Sequence, residues 1–397
     1  MNPIDNPYAP GAGTPPPQLA GRDEIRESVR IAVERIRRGR SAKSILMVGL
    51  RGVGKTVLLD QMRLEAEANG HVTLRMEAPE DRSLPGLLAP QLRQALLKLS
   101  RKEKARALAQ RSLRGLAGFV GAVKARFGDV EVALDFPPEP GLADNGDLES
   151  DLSELLVSVA EAAKAGETTV LMFIDELQYV KEEELGTLIS ALHRVAQRQL
   201  PLTVVGAGLP QLPGRMGKAK SYAERLFEFP EIGPLSPADS RDALVRPALE
   251  LEVSFEESAL AYLVKQTEGY PYFIQEWGKH AWDCAESSPI TLNDCREATQ
   301  LATAALDASF FRVRFDRLTP LEKRYMRVMA ELGKGPHRSG DIAEKLKRSV
   351  QSLGPTRAQL ISKGMIWSPS HGDTAFTVPL FDRFLKRIMP EPDFTES

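Results

Sequence analysis

The stretch with the clearest chemistry is residues 49–56, whose sequence is Gly-Leu-Arg-Gly-Val-Gly-Lys-Thr. It fits the phosphate-loop pattern G-x-x-x-x-G-K-[ST], in which backbone N–H groups surround a chain of phosphates. An apolar, β-prone run at 44–48 precedes it, and a helix-favouring run at 57–62 follows it. This pattern requires such a context, and the N-terminus of the helix adds partial positive charge beside the phosphates. The sequence therefore predicts that the chain binds a nucleoside triphosphate.

Lys55 and Thr56 provide the side-chain chemistry of this loop. The lysine is expected to reach the β- and γ-phosphates, and the threonine hydroxyl is placed to ligate Mg²⁺. The alternative is an ordinary strand–turn–helix corner with an unrelated lysine, which the flanking elements disfavour. The predicted nucleotide contacts here are Gly49, Leu50, Arg51, Gly52, Val53, Gly54, Lys55, Thr56 and Val57.

Two adjacent carboxylates, Asp175 and Glu176, end an apolar run that begins at residue 168. Such a run is typical of a buried central strand in a parallel sheet, with the acids at its carboxyl end. We expect Asp175 to hold Mg²⁺ through water and Glu176 to orient and deprotonate the attacking water, with Lys55 as its catalytic partner. A strand that ends in a solvated acidic turn is the alternative, but a phosphate loop already requires an acidic partner of this kind.

The elements that must position these residues follow from apolar periodicity and turn residues. Residues 1–20 are rich in proline and predict an extended, non-helical leader, and an amphipathic helix follows to about residue 38. Residues 83–167 predict a largely helical insertion, in which alternation at 129–136 indicates a strand or hairpin arm. Further strands are predicted at 71–77, 202–208 and 227–232, and a helix at 182–198.

Helices replace strands after Ser236, which with Pro237 forms a helix-start signal. They are predicted at 237–250, 255–268, 272–286 and 291–308, and again at 320–332, 339–347 and 351–363. A β-hairpin follows, and three helices with a hairpin form the pattern of a winged helix. The predicted fold class is α/β. It comprises a P-loop NTPase core with a parallel sheet (1–235, insertion about 83–167), a helical lid (236–311) and a C-terminal winged-helix domain (312–397).

Charge is unevenly distributed along the chain of 397 residues, whose formal net charge is −2. Residues 312–390 hold 16 lysines and arginines against 7 aspartates and glutamates. A basic module on an acidic body indicates an anionic partner, although a solvated basic face is the alternative. The apolar runs are too short for a bilayer span, the leader has no basic start, and the 2 cysteines lack metal-site spacing. We therefore expect a cytoplasmic protein.

Taken together, these motifs resemble the AAA+/STAND group of P-loop ATPases, especially those related to bacterial and archaeal replication initiators. Gly21 and Arg22 resemble the box with which such proteins line the adenine pocket, and Gly269-Tyr270-Pro271 resembles a lid element in which the proline touches the base. The resemblance implies that the nucleotide is ATP, with Mg²⁺ as cofactor.

Two departures from that family imply slow, switch-like hydrolysis. The end of the fourth strand, where a polar sensor residue is usual, is Gly206-Ala207-Gly208, and the lid lacks a basic second sensor. Arg225 lies where an arginine finger for a neighbouring subunit is usual in the family. The alternative is a surface arginine paired with Glu224 or Glu228.

Two functions remain open for the chain as a whole. In the first, ATP controls the binding of duplex DNA by the winged helix, whose helix at 350–363 would enter the major groove. The DNA contacts would then be Arg348, Arg357 and Lys363, with Gln351, Ser352 and Thr356 as further candidates. In the second, the protein is a signalling or scaffold ATPase. Its winged helix would hold the lid closed, and the insertion at 83–167 would contact a protein partner.

Overall fold

The computed structural model describes residues 1–11, 16, 19–78, 82–124, 126–130 and 136–390. The chain divides into two compact units. We call the first the sheet unit, which comprises Arg22–Val48 and Lys55–Glu231. The second, the helical unit, comprises Met1–Gly21, Gly49–Gly54 and Ile232–Ser397.

A five-stranded parallel sheet forms the centre of the sheet unit. Its strands, in chain order, are β1 (Ser44–Val48), β2 (Val72–Glu77), β3 (Val170–Asp175), β4 (Leu202–Gly208) and β5 (Phe227–Glu228). Their spatial order is β2-β3-β4-β1-β5. All residues of β1, β3 and β4 are buried, which fits their continuous apolar sequences. Because parallel strands share one carboxyl edge, the ends of β1 and β3 lie on the same edge of the sheet, with β4 between them.

Eight α-helices in the described residues complete the sheet unit. They are α1 (Asp23–Arg37), α2 (Lys55–Ala68), α3 (Leu84–Ser100), α4 (Arg106–Lys124), α5 (Leu148–Ala165), α6 (Glu182–Gln197), α7 (Leu212–Ala219) and α8 (Ala223–Leu226). The predicted helical insertion corresponds to α3–α5, whose apolar side chains join the same core as the sheet. The strand or hairpin arm predicted at 129–136 falls mostly on residues 131–135, outside the described residues.

The helical unit contains nine α-helices among its described residues. They are α9 (Pro237–Leu249), α10 (Glu257–Thr267), α11 (Pro271–Cys284), α12 (Leu292–Leu306), α13 (Arg312–Asp316), α14 (Pro320–Leu332), α15 (Ser339–Lys345), α16 (Val350–Ser362) and α17 (Phe381–Ile388). Ser236 caps α9 by accepting a hydrogen bond from the N–H of Asp239 at 3.1 Å, as its sequence predicts.

A small antiparallel sheet accompanies the last helices of this unit. It consists of β6 (His337–Arg338), β7 (Ile366–Trp367) and β8 (Asp373–Phe376), in the order β6-β8-β7. With α14, α15 and α16 this arrangement fits a winged helix loosely, and we call residues 312–389 the C-terminal module. None of the described helices is long and apolar enough to cross a membrane.

The leader differs from an extended tail. Residues 3–5 form one 3-10 turn, and Tyr8 is buried, with its hydroxyl donating to the carbonyl oxygen of Leu244. The amide side chain of Asn6 donates to the carbonyl oxygen of Lys279 at 3.0 Å. The described part of the leader therefore packs on α9 and α11 of its own unit, through contacts with residues far away in the sequence.

Candidate nucleotide site

Three glycines of the phosphate loop are required by the backbone itself. Gly52 and Gly54 have φ angles of +79° and +88°, in the left-handed region that favours glycine. A Cβ atom on Gly49 would lie 2.2 Å from the carbonyl oxygen of Ile232. Gly49–Gly54 therefore form a tight glycine-rich turn, the kind of backbone that can surround a phosphate chain.

Within the helical unit, the first residues of α11 contact this loop. The N–H of Tyr272 donates to the carbonyl oxygen of Gly52 at 3.2 Å, and a Cβ atom on Gly54 would lie 3.9 Å from Pro271. The residue predicted to touch the base thus lies beside the phosphate loop. Gly21, the other predicted pocket residue of this unit, has a φ of +64°, and a Cβ there would lie 2.7 Å from Asp239. Arg22 belongs to the sheet unit and directly precedes α1.

The C-terminal module also contacts the loop inside the helical unit. The N–H of Arg51 donates to the carbonyl oxygen of Thr377 at 3.0 Å. Thr377 follows β8, and its own N–H donates to the carbonyl oxygen of Met365 at 3.1 Å. One backbone donor of the predicted phosphate-binding loop is therefore bonded to the main chain of the module, a contact that no side-chain pattern could indicate.

In the sheet unit, the start of α2 and the end of β3 come together. The Thr56 hydroxyl donates to Asp175 Oδ2 at 2.6 Å, and Lys55 is only 8% exposed. Burial raises the pKa of the Asp175 carboxyl, and the Thr56 hydroxyl opposes this shift by a smaller amount. A hydroxyl and a buried carboxylate supply the hard oxygen ligands that Mg²⁺ prefers. The two predicted metal residues thus fit this ion.

Glu176 is next to this pair and has an unusual backbone. Its φ and ψ angles are 54° and 36°, and its N–H donates to Asp175 Oδ1 at 2.8 Å. Such left-handed torsions are uncommon for a residue other than glycine and occur often at functional sites. The carboxylate of Glu176 accepts a hydrogen bond from the side-chain amide of Gln178. Gln178 was not among the predicted site residues, because its role depends on a main-chain partner far away in the sequence.

Arg225, the predicted arginine finger, lies in α8 immediately before β5 and is exposed. Among the described residues its side chain forms no ion pair with Glu224 or Glu228. The structure therefore gives no support to the alternative, in which Arg225 is a surface arginine paired with one of these glutamates.

Two of the three predicted DNA contacts bind within the C-terminal module. Arg357 donates to Thr374 Oγ1 at 3.0 Å, and also to Ser368 Oγ and the carbonyl oxygen of Asp373, both at 2.8 Å. Lys363 lies 2.7 Å from the carboxylate of Glu322, which is fully buried. Arg348 lies just before α16 and is half-buried.

Comparison with known families bears on residues 18–205, which span the phosphate loop, β3 and most of β4. This range matches the AAA ATPase domain family. This part of the chain is similar to AAA ATPase domains. Residues 308–385 match a family described as a domain of unknown function, DUF8462. No curated protein matches the chain.

One solved structure supports the fold. The chain is similar to a Walker-type ATPase of Pyrococcus abyssi, at 15% identity and a TM-score of 0.56, over 94% of this chain and 97% of that one. It is also similar to the RuvB Holliday junction branch migration motor of Thermotoga maritima, at 15% identity and a TM-score of 0.44, over 92% and 95% of the chains. A third similar structure is Orc1 of Aeropyrum pernix in complex with DNA, at 14% identity and a TM-score of 0.45, over 94% of each chain.

The predicted AAA ATPase resemblance and α/β fold are therefore confirmed. The AAA ATPase domain gives the chain a nucleotide-binding function of the ATPase type, for which ATP and Mg²⁺ are the usual requirements of the family.

Proposed function

We propose that the protein is a nucleotide switch that binds ATP with Mg²⁺ and hydrolyses it slowly. The observation that carries this proposal is the 2.6 Å hydrogen bond from Thr56 to Asp175, because it joins the helix after the phosphate loop to the acidic end of β3. Thr56 and Asp175 would hold the metal, Asp175 through water. Mg²⁺, when bound, would neutralise charge on the β- and γ-phosphate oxygens.

In the proposed reaction, Glu176 takes a proton from water as the water oxygen bonds to the γ-phosphorus. The bond from the γ-phosphorus to the bridging oxygen breaks, which releases ADP and inorganic phosphate. Lys55 stabilises the negative charge on the phosphates during this step. A general base contributes about 10²–10⁴-fold to the rate of such a step.

The test of this proposal is Glu176→Gln. We expect it to bind ATP·Mg as the wild type does and to lose hydrolysis by about 10²–10⁴-fold, because the amide cannot accept the proton. Calorimetry measures the binding and phosphate release measures the turnover. Glu103→Gln, an exposed glutamate of the same unit, is the matched control. Undiminished turnover by Glu176→Gln would remove Glu176 as the base.

Two features support slow turnover. The end of β4 carries Gly206 and Gly208, where a polar side chain is usual in the family. The N–H of Arg51 is bonded to Thr377, so the loop must lose that bond before this donor can serve a phosphate. Both features fit a protein that keeps its bound nucleotide for a long time before the nucleotide is hydrolysed or released.

A neighbouring copy would complete the site through Arg225. The exposure of Arg225, without an ion pair to Glu224 or Glu228 among the described residues, supports this role. A finger supplied in trans contributes about 10³–10⁵-fold. Hydrolysis per chain should then rise with protein concentration in the wild type and stay flat in Arg225→Ala. Parallel curves for both proteins would exclude the finger.

For the output of the switch, duplex DNA bound by the C-terminal module is the first candidate. Its support is the excess of basic residues at 312–390 and the order of α14, α15 and α16. Arg348, Arg357 and Lys363 are the contacts that the sequence suggests. Arg357 and Lys363 already bind inside the module, so a DNA contact by either side chain would first require those bonds to break.

The exposed face of α16 favours the second candidate, a protein partner of a signalling or scaffold ATPase. Among its exposed residues there is no charged side chain; they are Val350, Gln351, Ser352, Gly354, Pro355, Ala358, Gln359 and Ser362. A helix that enters a DNA groove normally carries cations, because phosphate contacts dominate the affinity. The face of α16 therefore suits a neutral protein surface better than DNA.

A titration with duplex DNA at low salt, with and without ATP, separates the two candidates. Salt-dependent binding that Arg348→Ala weakens would support DNA, whereas absence of binding at low salt would leave the protein partner. Gln359→Lys, on the neutral face of α16, is an informative companion. It should strengthen binding only if that face meets the phosphates.

A further inference from the structure

The carboxyl end of β4 carries glycines with side chains packed closely around them. A Cβ atom on Gly208 would lie 2.8 Å from Leu212 Cδ2 and 3.1 Å from Gln178 Oε1. One on Gly206 would lie 2.5 Å from Leu177 Cδ1. A side chain at either position would therefore require Leu177 or Leu212 to move from its present place.

Gln178, in the middle of the 3-10 turn Leu177–Tyr179, connects the predicted base to the end of β4. Its side chain is 5% exposed. Its Oε1 accepts a hydrogen bond from the N–H of Leu209 at 3.0 Å, and its Nε2 donates to Glu176 Oε2. These two bonds fix the orientation of the amide, because a flipped amide would put Nε2 against an N–H and Oε1 against a carboxylate.

We propose that Gln178 is a positioning residue for Glu176 and takes the place of the polar group that β4 lacks. The proposal rests on the proposed function, since it requires Glu176 to be the base. Gln178 touches neither the nucleotide phosphates nor the metal ligands in this role. It acts by holding the carboxylate of Glu176 in one place, with the main chain at Leu209 as the fixed support.

The need for such a support follows from the setting of Glu176. The residue is half-buried at the edge of the sheet, and its side chain has three rotatable bonds. A misplacement of about 1 Å at a reacting group can reduce a rate by about 10²-fold. The hydrogen bond from Gln178 removes this freedom before the nucleotide binds.

Two substitutions separate positioning from a purely structural role. Gln178→Leu removes both hydrogen bonds. Gln178→Glu keeps an oxygen for the N–H of Leu209 but cannot donate to Glu176 when it is ionised. We expect kcat to fall by about 10²-fold in both variants, with the affinity for ATP·Mg unchanged. Gln197→Leu, at the exposed end of α6, is the matched control and should turn over at the wild-type rate.

Amide hydrogen exchange of the nucleotide-free protein supplies a readout that does not depend on activity. The N–H of Leu209 should exchange faster in Gln178→Leu, because its acceptor is gone, and should stay protected in Gln178→Glu. That pattern shows whether each variant has the intended hydrogen bonds and whether the end of β4 stays folded.

The outcomes are distinguishable. Wild-type kcat in Gln178→Glu, with Leu209 protected, would mean that only the structural bond matters and would overturn the proposal. So would wild-type kcat in Gln178→Leu when Glu176→Gln is inactive. Undiminished turnover by Glu176→Gln would remove both the proposed base and the residue that positions it.

Discussion

The hydroxyl of Thr56 lies beside a buried carboxylate, and this position suits it to bind a metal ion. It donates to Asp175 at 2.6 Å, and that carboxylate is 5% exposed, so its second hydrogen bond, from the N–H of Glu176, is also inside the protein. A buried carboxylate is costly unless positive charge compensates it, and Lys55 supplies part of that charge here. A divalent ion that binds both Thr56 and the phosphates would remove part of that cost. The Thr56 hydroxyl would therefore contribute to the affinity for the metal ion.

The matched substitutions Thr56→Val and Thr56→Ser test this role. Valine has nearly the same shape but no hydroxyl, so the part of the ATP affinity that depends on Mg²⁺ should fall by about 10-fold or more. Serine keeps the hydroxyl and should restore it. Calorimetric titrations with Mg²⁺ and with EDTA measure the difference. Equal Mg²⁺ dependence in the valine variant and the wild type would show that Thr56 is not a metal ligand.

Sequence was a good guide to residues that act through their own side chains. Lys55, Thr56, Asp175 and Glu176 follow from motif and strand context, and the structure brings Thr56, Asp175 and Glu176 together. Gln178 was missed because its role depends on the N–H of Leu209, which reaches it only after β3 and β4 have paired. A side chain that binds main chain has no distinctive pattern in the sequence.

At the scale of elements, uniform apolar runs were predicted best. The strand predicted at 202–208 agrees with β4, and the helix at 182–198 differs from α6 by one residue. The last strand, predicted at 227–232, ends after Glu228, apart from an isolated bridge between Val48 and Glu231. Pro230 explains this, because it has no N–H for a continued ladder, although its carbonyl oxygen still accepts from the N–H of Val48 at 3.0 Å.

Two short helices, α7 and α17, were not predicted. α7 contains Gly214 and Gly217, which have low helix propensity. α17 is eight residues long and begins after Leu380, whose φ is +58°. Its buried Phe381 and Phe384 lie against Phe311, with ring centroids 5.7 Å and 5.3 Å apart. Tertiary packing, which a local pattern does not contain, stabilises both helices.

The ion pair between Lys363 and Glu322 is expected to stabilise the fold around α16, and a substitution can test this. Lys363→Met leaves Glu322 buried without its cation, and breaking such a pair typically costs about 3–5 kcal/mol. Because Trp277, Trp282 and Trp367 all lie in the helical unit, tryptophan fluorescence during urea unfolding reports on that unit.

The double variant Lys363→Met with Glu322→Gln is the control for this prediction. It removes the uncompensated charge and should recover most of the lost stability. A single variant as stable as the wild type would show that the pair contributes nothing, and Lys363 would then be available for DNA.

At the scale of the whole molecule, the basic character of residues 312–390 is partly cancelled within the helical unit. Lys334 and Arg383 both pair with Glu268, and Arg387 pairs with Asp307 at 2.6 Å. Both acids precede residue 312, so the excess of cations serves in part to hold the C-terminal module on the helices before it. Net charge along the sequence could not distinguish this internal use from an anionic partner.

Glu268 is the point at which these contacts can be released. It directly follows α10, with a φ of +50°, and precedes Gly269-Tyr270-Pro271. The two cations that pair with it belong to the C-terminal module. The same module accepts the hydrogen bond from the N–H of Arg51 at Thr377. Partly exposed ion pairs contribute about 0.2–1 kcal/mol each. Glu268→Gln should therefore loosen the module and speed nucleotide release and steady-state hydrolysis by about 2- to 10-fold.

Salt provides an independent check on this prediction, because the Debye length falls to about 3 Å at 1 M. High salt should bring the release rate of the wild type toward that of Glu268→Gln and change the variant less. Glu257→Gln, which breaks an exposed pair with Arg241 in the same unit, is the matched control and should release nucleotide at the wild-type rate. If Glu268→Gln releases a fluorescent ADP no faster than this control, the ion pairs do not hold the module on the loop. The proposed slow turnover would then have to come from the glycines at the end of β4 alone.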